Sequence, residues 1–320
     1  MIFIHITDLH LRNKDRNFPS RKDDYHESIF NKLNQVLSLE KHLIAQGQEV
    51  GGLLISGDIF DIPAPSSNSH ELVNKVIELL NEFSSVLAIS GNHDLKFKSL
   101  DLLREQPIFS LFLSGIHNLD EKPFFITNSQ GKVIKISGFS YREERPLNYL
   151  KMIDKEECDY CIALAHLYAA DISSIFFGEK IYAFKDLANL GNWDVLCLGH
   201  YHENFGFREI NGRYISAPGA LSRGTFTKEN IDRKVSVNII SINTGIKIFT
   251  KDLKITPADQ IFDFQSKEDK IINDKNILDY ISDLKKDISG DFLDIDKIEK
   301  RSDIDNEVKK KIIYYLGQAK

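Results

Sequence analysis

Residues 52–61 read GLLISGDIFD, a short apolar run that passes directly into a glycine and two aspartates. Such a run followed by a polar loop is typical of a buried strand. The same pattern recurs at residues 2–6, 86–89, 133–136, 161–165, 195–198, 214–215 and 235–242. Helical spacing of apolar residues lies between several runs, as in 29–37 and 72–80. This alternation predicts a layered α/β domain, whose sheet is mixed or doubled in the second half, where long helices are absent.

The last 55 residues differ from the rest of the chain in composition, with 12 basic and 13 acidic residues. Apolar residues recur on one helical face within 277–288 and again within 308–316, and Gly290 separates the two segments. We therefore expect a main domain at residues 1–255 and a small helical appendage at 256–320. The appendage is either a reduced cap or an element that binds a partner.

Overall composition sets wide bounds on function. The net charge is −6, from 41 basic and 47 acidic residues, so the whole chain carries no general signal for a polyanion partner. The three cysteines are an odd number, which predicts reduced thiols rather than a disulfide framework. No apolar run reaches the ~18 residues that span a bilayer, and the start has no basic signal-peptide region. These features predict a soluble cytoplasmic protein that does not enter a membrane.

Five polar motifs stand immediately after apolar runs. They are Asp8-x-His10, Gly57-Asp58-x-x-Asp61, Gly91-Asn92-His93-Asp94, Ala165-His166 and Gly199-His200-x-His202. Loops at the carboxyl ends of strands converge on one crevice in layered α/β folds, so these residues can meet. Carboxylate, amide and imidazole ligands together suit manganese, iron or zinc better than calcium or magnesium. Two carboxylates, one amide oxygen and four imidazoles make seven candidate ligands. Seven are too many for one tetrahedral ion, but they suit two ions that share a carboxylate.

In this order, the motifs resemble the signature of calcineurin-like metallophosphoesterases, over about residues 1–225. The resemblance implies a layered β-sandwich flanked by helices. It implies one divalent ion held by Asp8, His10, Asp58 and His202, and a second held by Asp58, Asn92, His166 and His200. His93 would stabilise the transition state or protonate the leaving oxygen, with Asp94 as its supporting partner. Asp61 lies near this site without being assigned as a ligand.

Within that family, the chain looks most like the SbcD-type nuclease subunit of DNA repair. The resemblance rests on residues 57–67, on the GFSYR stretch at 138–142 and on the Pro218-Gly219 turn. Related protein phosphatases have glutamate where this chain has Asp94, which disfavours a phosphoprotein substrate. The resemblance implies a manganese-dependent exonuclease and endonuclease, acting as a homodimer in repair or recombination. It also implies that the C-terminal helices bind an SMC-like ATPase of the SbcC type.

Two other functions stay open from the sequence. One is a phosphodiesterase or pyrophosphatase for small nucleotides, and the other is a non-catalytic scaffold. The chain is short for an SbcD-like protein, because the usual DNA-capping domain must be reduced to about residues 245–320 or be missing. A cluster of basic residues near the motifs still predicts contacts with DNA phosphates: Arg12, Lys14, Arg16, Arg21, Lys22, Lys96 and Lys98. The alternative is that these residues form an ordinary solvated loop.

Overall fold

Two six-stranded mixed sheets form the framework of residues 1–262 in the computed structural model, which describes residues 1–176, 179–264 and 308–311. In spatial order, the first sheet contains β15 (Ile246–Asp252), β14 (Ser236–Ile242), β1 (Ile2–Ile6), β2 (Val50–Ile55), β3 (Val86–Ala88) and β4 (His117–Asn118). The second contains β12 (Gly206–Ile210), β13 (Arg213–Ala217), β11 (Val195–Gly199), β7 (Tyr160–His166), β6 (Val133–Phe139) and β5 (Phe124–Thr127). A small third sheet has the order β8 (Ala169–Ala170), β10 (Glu179–Ala183) and β9 (Ser174–Phe176).

Both large sheets have a parallel centre. Strands β1 to β4 run parallel as far as the β4 edge, whereas β14 pairs antiparallel with β1 and β15 pairs antiparallel with β14. In the second sheet β6, β7, β11 and β13 run parallel, and β5 and β12 are antiparallel. The carboxyl ends of the parallel strands within each sheet therefore lie at one edge.

Side chains alternate between two apolar cores, because successive residues of a strand face opposite sides of the sheet. In β1, Phe3 packs between the two sheets, whereas Ile4 and Ile6 pack under the helices. Helices α1 (Tyr25–Ala45), α2 (His70–Leu80) and α3 (Pro107–Leu113) cover the first sheet. Helices α4 (Pro146–Lys151) and α5 (Phe184–Leu187) contribute to a third core against the second sheet. Two further short helices are α6 (Lys228–Asp232) and α7 (Ala258–Ile261).

The predicted fold class is confirmed, since two sheets pack between helical layers. The doubled sheet expected in the second half is the second six-stranded sheet. Of the residues described, none belongs to a helix that combines the length and apolar character needed to cross a membrane. The cysteines Cys158, Cys161 and Cys197 are free thiols, as predicted.

The chain divides into two compact units, Met1–Phe262 and Asp263–Lys320. The predicted appendage at 256–320, with its two amphipathic segments, lies outside the described residues except for 256–264 and 308–311. The boundary at residue 255 and the role of the appendage therefore stay predictions.

Candidate metal centre

The predicted ligands occupy unusual backbone conformations at the ends of parallel strands. Asp8, His10, Asp58 and His200 have φ values of 53°, 48°, 52° and 89°. This left-handed region costs a residue other than glycine about 1–3 kcal/mol, and such residues concentrate at functional sites. Hydrogen bonds hold the strained loops in place, since the main-chain nitrogens of Leu9 and His10 both donate to the Asp58 carbonyl oxygen, at 2.8 and 3.0 Å.

One group of predicted ligands surrounds Asn92. Its Oδ1 atom lies 3.0 Å from Nε2 of His166 and 2.8 Å from Nδ1 of His200. His166 Nε2 is also 3.4 Å from Oδ2 of Asp58. Because Nδ1 of His166 donates to the Ser56 carbonyl oxygen at 2.7 Å, the neutral ring has its lone pair on Nε2. Electron-rich atoms thus converge on one point, which favours a bound cation.

The second group joins Asp8, His10 and His202. Their nearest atoms are the Nε2 atoms of His10 and His202, 3.1 Å apart, and Oδ1 of Asp8 lies 3.7 Å from His202 Nε2. His10 Nε2 is 3.8 Å from Oδ2 of Asp58, so the same Asp58 oxygen lies near both groups. Thr7 Oγ1 donates to Oδ2 of Asp8 at 2.7 Å and fixes its orientation.

These residues fit a pair of divalent ions. In each group, the ligand atoms of three carboxylate or histidine side chains lie within 4.8 Å of one another. Asp8, Asp58 and His166 are fully buried, and buried charges of this kind are normally paired or coordinate metals. The donor set of nitrogen and oxygen atoms matches borderline divalent metals.

The buried charges at the centre perturb one another. Burial opposes the charged form of Asp58, but the neighbouring His166 and His10 outweigh it and lower the Asp58 pKa. Burial likewise opposes protonation of His166, but the Asp58 carboxylate raises its pKa to about 9. Burial and the adjacent Asp58 charge raise the pKa of Asp94 to about 7. The site therefore strongly favours positive charge beside Asp58.

His93 stands at the edge of the two groups. Its main-chain nitrogen donates to Oδ1 of Asp58 at 2.7 Å, and its Nδ1 donates to the Asp61 carbonyl oxygen at 2.8 Å. The His93 and His10 rings meet edge to face, with centroids 4.7 Å apart. His10, Asp61 and His93 also form a third set of clustered ligand atoms, so Asp61 is closer to the chemistry than its motif alone indicated.

Asp94 is buried behind the ligands and organises their loops. Its carboxylate accepts hydrogen bonds from the main-chain nitrogens of Phe60 at 2.8 Å, Gly91 at 2.9 Å and Ile59 at 3.2 Å. These bonds tie the loop of Asp58 to the loop of Asn92. Asp94 is thus placed to position ligands.

The predicted DNA-binding residues have different surroundings. Arg12 pairs with Asp61, and its guanidinium lies 3.6 Å from the centroid of the Phe18 ring. Arg21 is buried, and it pairs with Asp23 and donates to the Arg223 carbonyl oxygen. The remaining five are exposed: Lys14, Arg16, Lys22, Lys96 and Lys98. Two of these five pair with acids at the surface, Lys14 with Asp24 and Lys98 with Glu143.

Three residues around His200 were not among the predicted site residues. Glu179, on β10, places Oε1 3.1 Å from Nε2 of His200. The rings of Tyr141 and Tyr168 lie 5.7 and 5.0 Å from the His200 ring. Tyr141 belongs to the GFSYR stretch, which gave a hint of its position. Glu179 gave no comparable signal.

The layered sheets and the paired clusters of histidine and carboxylate ligands define a metallophosphoesterase. The model of the calcineurin-like phosphoesterase family matches residues 1–204, and the chain belongs to that family. This confirms the resemblance seen in the motifs. Members of the family use divalent metal ions, and the clusters described above are suited to hold them.

Named relatives are archaeal DNA double-strand break repair proteins Mre11. The protein from Methanocaldococcus jannaschii is 24% identical over 208 residues, which cover 63% of this chain and 52% of that protein. The protein from Nanoarchaeum equitans is 27% identical over 224 residues, covering 62% and 57%. The chain thus spans about half the length of these relatives. A solved 5′-nucleotidase precursor from Thermus thermophilus is 13% identical, with a TM-score of 0.45 over 87% of this chain and 59% of that one.

Proposed function

We propose that this protein is a metal-dependent nuclease that hydrolyses phosphodiester bonds of DNA at a two-metal centre. The observation that carries the proposal is the convergence of all seven predicted ligands on two groups that share Asp58. The similarity to Mre11 proteins, which are named for repair of DNA breaks, favours DNA as the substrate.

In this proposal Asp8, His10, Asp58 and His202 hold one ion, and Asp58, Asn92, His166 and His200 hold the other. The mixed nitrogen and oxygen set suits manganese, iron or zinc, and of these we propose Mn²⁺, the metal that the resemblance to SbcD-type nucleases implies. When bound, the ions supply an activated water and neutralise charge on the phosphoryl oxygens. The Asp61 carbonyl oxygen accepts from Nδ1 of His93 and orients the ring, so that Nε2 can donate to the leaving oxygen when it also carries a proton. Asp94 holds the loop of Asp58 and the loop of Asn92 together through its hydrogen bonds to their main chains.

Several wider roles follow from the same proposal. Lys14, Arg16, Lys22, Lys96 and Lys98 would contact DNA phosphates, because they are exposed near the ligand loops. We propose a cytoplasmic homodimer that acts in DNA repair or recombination, with an SMC-like ATPase of the SbcC type as its partner. The C-terminal helices proposed to bind that ATPase lie outside the described residues.

The second candidate is a phosphodiesterase or pyrophosphatase that acts on small nucleotides. It is favoured by a cavity of about 440 Å³ beside His166, a volume within the range of ~300–1,000 Å³ that small-molecule sites occupy. A scaffold without activity is disfavoured, because none of the seven predicted ligands is missing from the sequence.

Purified protein incubated with Mn²⁺ and end-labelled single-stranded or duplex DNA tests the proposal. A parallel panel of small nucleotide diesters and pyrophosphates tests the second candidate. We expect DNA cleavage that disappears with chelation and with Asp58→Asn, which removes the shared ligand and lowers metal content. Intact DNA together with turnover of small diesters would replace the nuclease with the second candidate. Normal metal content in Asp58→Asn would show that Asp58 does not bridge the ions.

A further inference from the structure

A cavity of about 440 Å³ opens beside the ligand group that contains His166. Its volume lies within the range of ~300–1,000 Å³ that small-molecule sites occupy. His166 itself forms part of the wall, so the cavity continues outward from the metal centre. Aromatic and basic side chains form much of the remaining wall: Tyr141, Tyr168, Tyr182, Lys98 and Lys180.

The small third sheet places three of these side chains. Lys180 and Tyr182 are two residues apart on β10, so they face the same side of that strand. The Tyr182 main-chain nitrogen donates to the Tyr168 carbonyl oxygen at 2.8 Å, which fixes β10 beside Tyr168. The Tyr168 ring in turn meets the His200 ring edge to face, with centroids 5.0 Å apart. The aromatic wall is therefore continuous with the ligand histidines.

The two acidic side chains that line the cavity, Glu143 and Glu179, each pair with a basic side chain. Glu179 is held by His200, and Glu143 lies 3.6 Å from Nζ of Lys98. Lys180 is exposed, and its Nζ lies 5.0 Å from the centroid of the Tyr182 ring. An ammonium group beside an aromatic ring can bind a phosphate while the ring stacks on a base, which is how proteins hold unpaired nucleotides.

We propose that this cavity binds the nucleotide next to the scissile phosphodiester, with its base against Tyr168 and Tyr182 and its outer phosphate near Lys180. The proposal rests on the phosphodiesterase activity proposed above. It adds a recognition site for one unstacked nucleotide on the His166 side of the metal centre.

Three chromogenic diesters with one leaving group test the pocket. Thymidine 5′-(p-nitrophenyl phosphate) and its 3′ isomer carry a nucleoside, and methyl p-nitrophenyl phosphate carries a methyl group in its place. With Mn²⁺, we expect the KM for one thymidine ester to be about tenfold lower than for the methyl ester, because of base stacking. We expect Tyr182→Leu and Tyr168→Leu to bring the ratio of the methyl-ester KM to the thymidine-ester KM close to one. Tyr182→Phe should preserve the wild-type ratio.

The matched control is Phe249→Leu, which removes a ring that is 56% exposed on β15 and should leave the ratio unchanged. Thermal denaturation checks that each variant folds. If Tyr182→Leu unfolds, Tyr168→Leu tests the pocket by itself, because these esters carry no outer phosphate for Lys180 to bind. No preference in the wild type, or a ratio that survives both substitutions, overturns the pocket.

Failure of the pocket and failure of the proposed nuclease give different results. DNA cleavage with equal KM values for all three esters overturns the pocket alone. Intact DNA with a clear preference for a thymidine ester overturns the nuclease and supports the pocket in a small-nucleotide enzyme. No turnover of DNA or of any ester overturns both proposals.

Discussion

Oε1 of Glu179 lies 3.1 Å from Nε2 of His200, whose Nδ1 lies 2.8 Å from Oδ1 of Asn92. The hydrogen bond with His200 is the largest cause of a lowered pKa for Glu179, which keeps this carboxylate charged. A charged acceptor at Nε2 fixes the hydrogen there and leaves the lone pair on Nδ1. Glu179 thus prepares His200 to bind a metal through Nδ1.

We expect Glu179→Gln to weaken the metal affinity of the centre by about 10- to 100-fold, as loss of such a partner typically does. Isothermal titration with Mn²⁺ measures this change directly. Glu143→Gln is the matched control, because Glu143 lines the same cavity but pairs with Lys98. Equal metal affinity in the two variants would show that Glu179 does not support His200.

The His93→Ala variant separates metal binding from proton transfer. Its side chain contacts the Asp61 carbonyl oxygen and the His10 ring, whereas the bond to Asp58 comes from its main chain and survives the substitution. We expect two bound ions per chain by elemental analysis and a kcat lowered by about 10²- to 10⁴-fold. One missing ion would instead make His93 a ligand, together with His10 and Asp61.

The convergence of the ligands was predictable, because apolar runs identified the strands and each motif followed one of them. Asp8, Asp58 and Asn92 follow parallel neighbours in one sheet, and His166 and His200 end or follow parallel neighbours in the other. Parallel centres bring the motifs of each sheet to one edge, and the packing of the two sheets then brings Asp58 together with His166 and His200. The sequence did not reveal the left-handed backbone of Asp8 and Asp58, which depends on contacts between the loops.

Other features depend on pairings that no local pattern contains. Arg21 belongs to a run of basic residues, but Asp23 pairs with it and its side chain is buried. Glu179 reaches His200 only because β10 pairs with β8, directly after the strand that ends in His166. A single ion pair or strand pairing, formed only in the folded chain, decides where each of these side chains points.

The buried side chain of His5 leads to a prediction about how stability depends on pH. It is fully buried between Ser216 Oγ at 2.7 Å and Ser56 Oγ at 2.9 Å, and burial lowers its pKa to about 3. The unfolded chain, with a histidine pKa near 6.5, therefore binds more protons between these values. The stability contributed by neutral His5 is complete above about pH 6.5 and is lost as the pH falls toward 3.

Between about pH 6.5 and 3, we expect protonation of His5 to lower the free energy of unfolding, measured with urea, by up to about 1.4 kcal/mol per pH unit. In His5→Gln that part of the slope should disappear. His42→Gln changes an exposed histidine on α1 and should retain the wild-type slope. Parallel pH profiles for the wild type and His5→Gln would show that His5 titrates normally in the folded protein.

The surroundings of Gly91 leave no room for a side chain at this position. A Cβ atom at this position would lie 2.0 Å from Oδ1 of Asp58 and 2.4 Å from its main-chain nitrogen. Gly91→Ala must therefore displace the shared carboxylate or the backbone that carries it. We expect loss of metal binding and of hydrolysis, with a destabilisation of about 1–3 kcal/mol from overpacking.

Gly245→Ala is the matched control, since a Cβ there meets nothing within 4 Å. It should bind metal and unfold like the wild type. Titration with Mn²⁺ and urea denaturation of both variants measure the two effects separately. If Gly91→Ala binds two ions with unchanged affinity, Asp58 does not need the position it occupies here to join the two ligand groups. If it loses the ions while keeping most of its stability, the close contact between Gly91 and Asp58 acts on the metal centre itself.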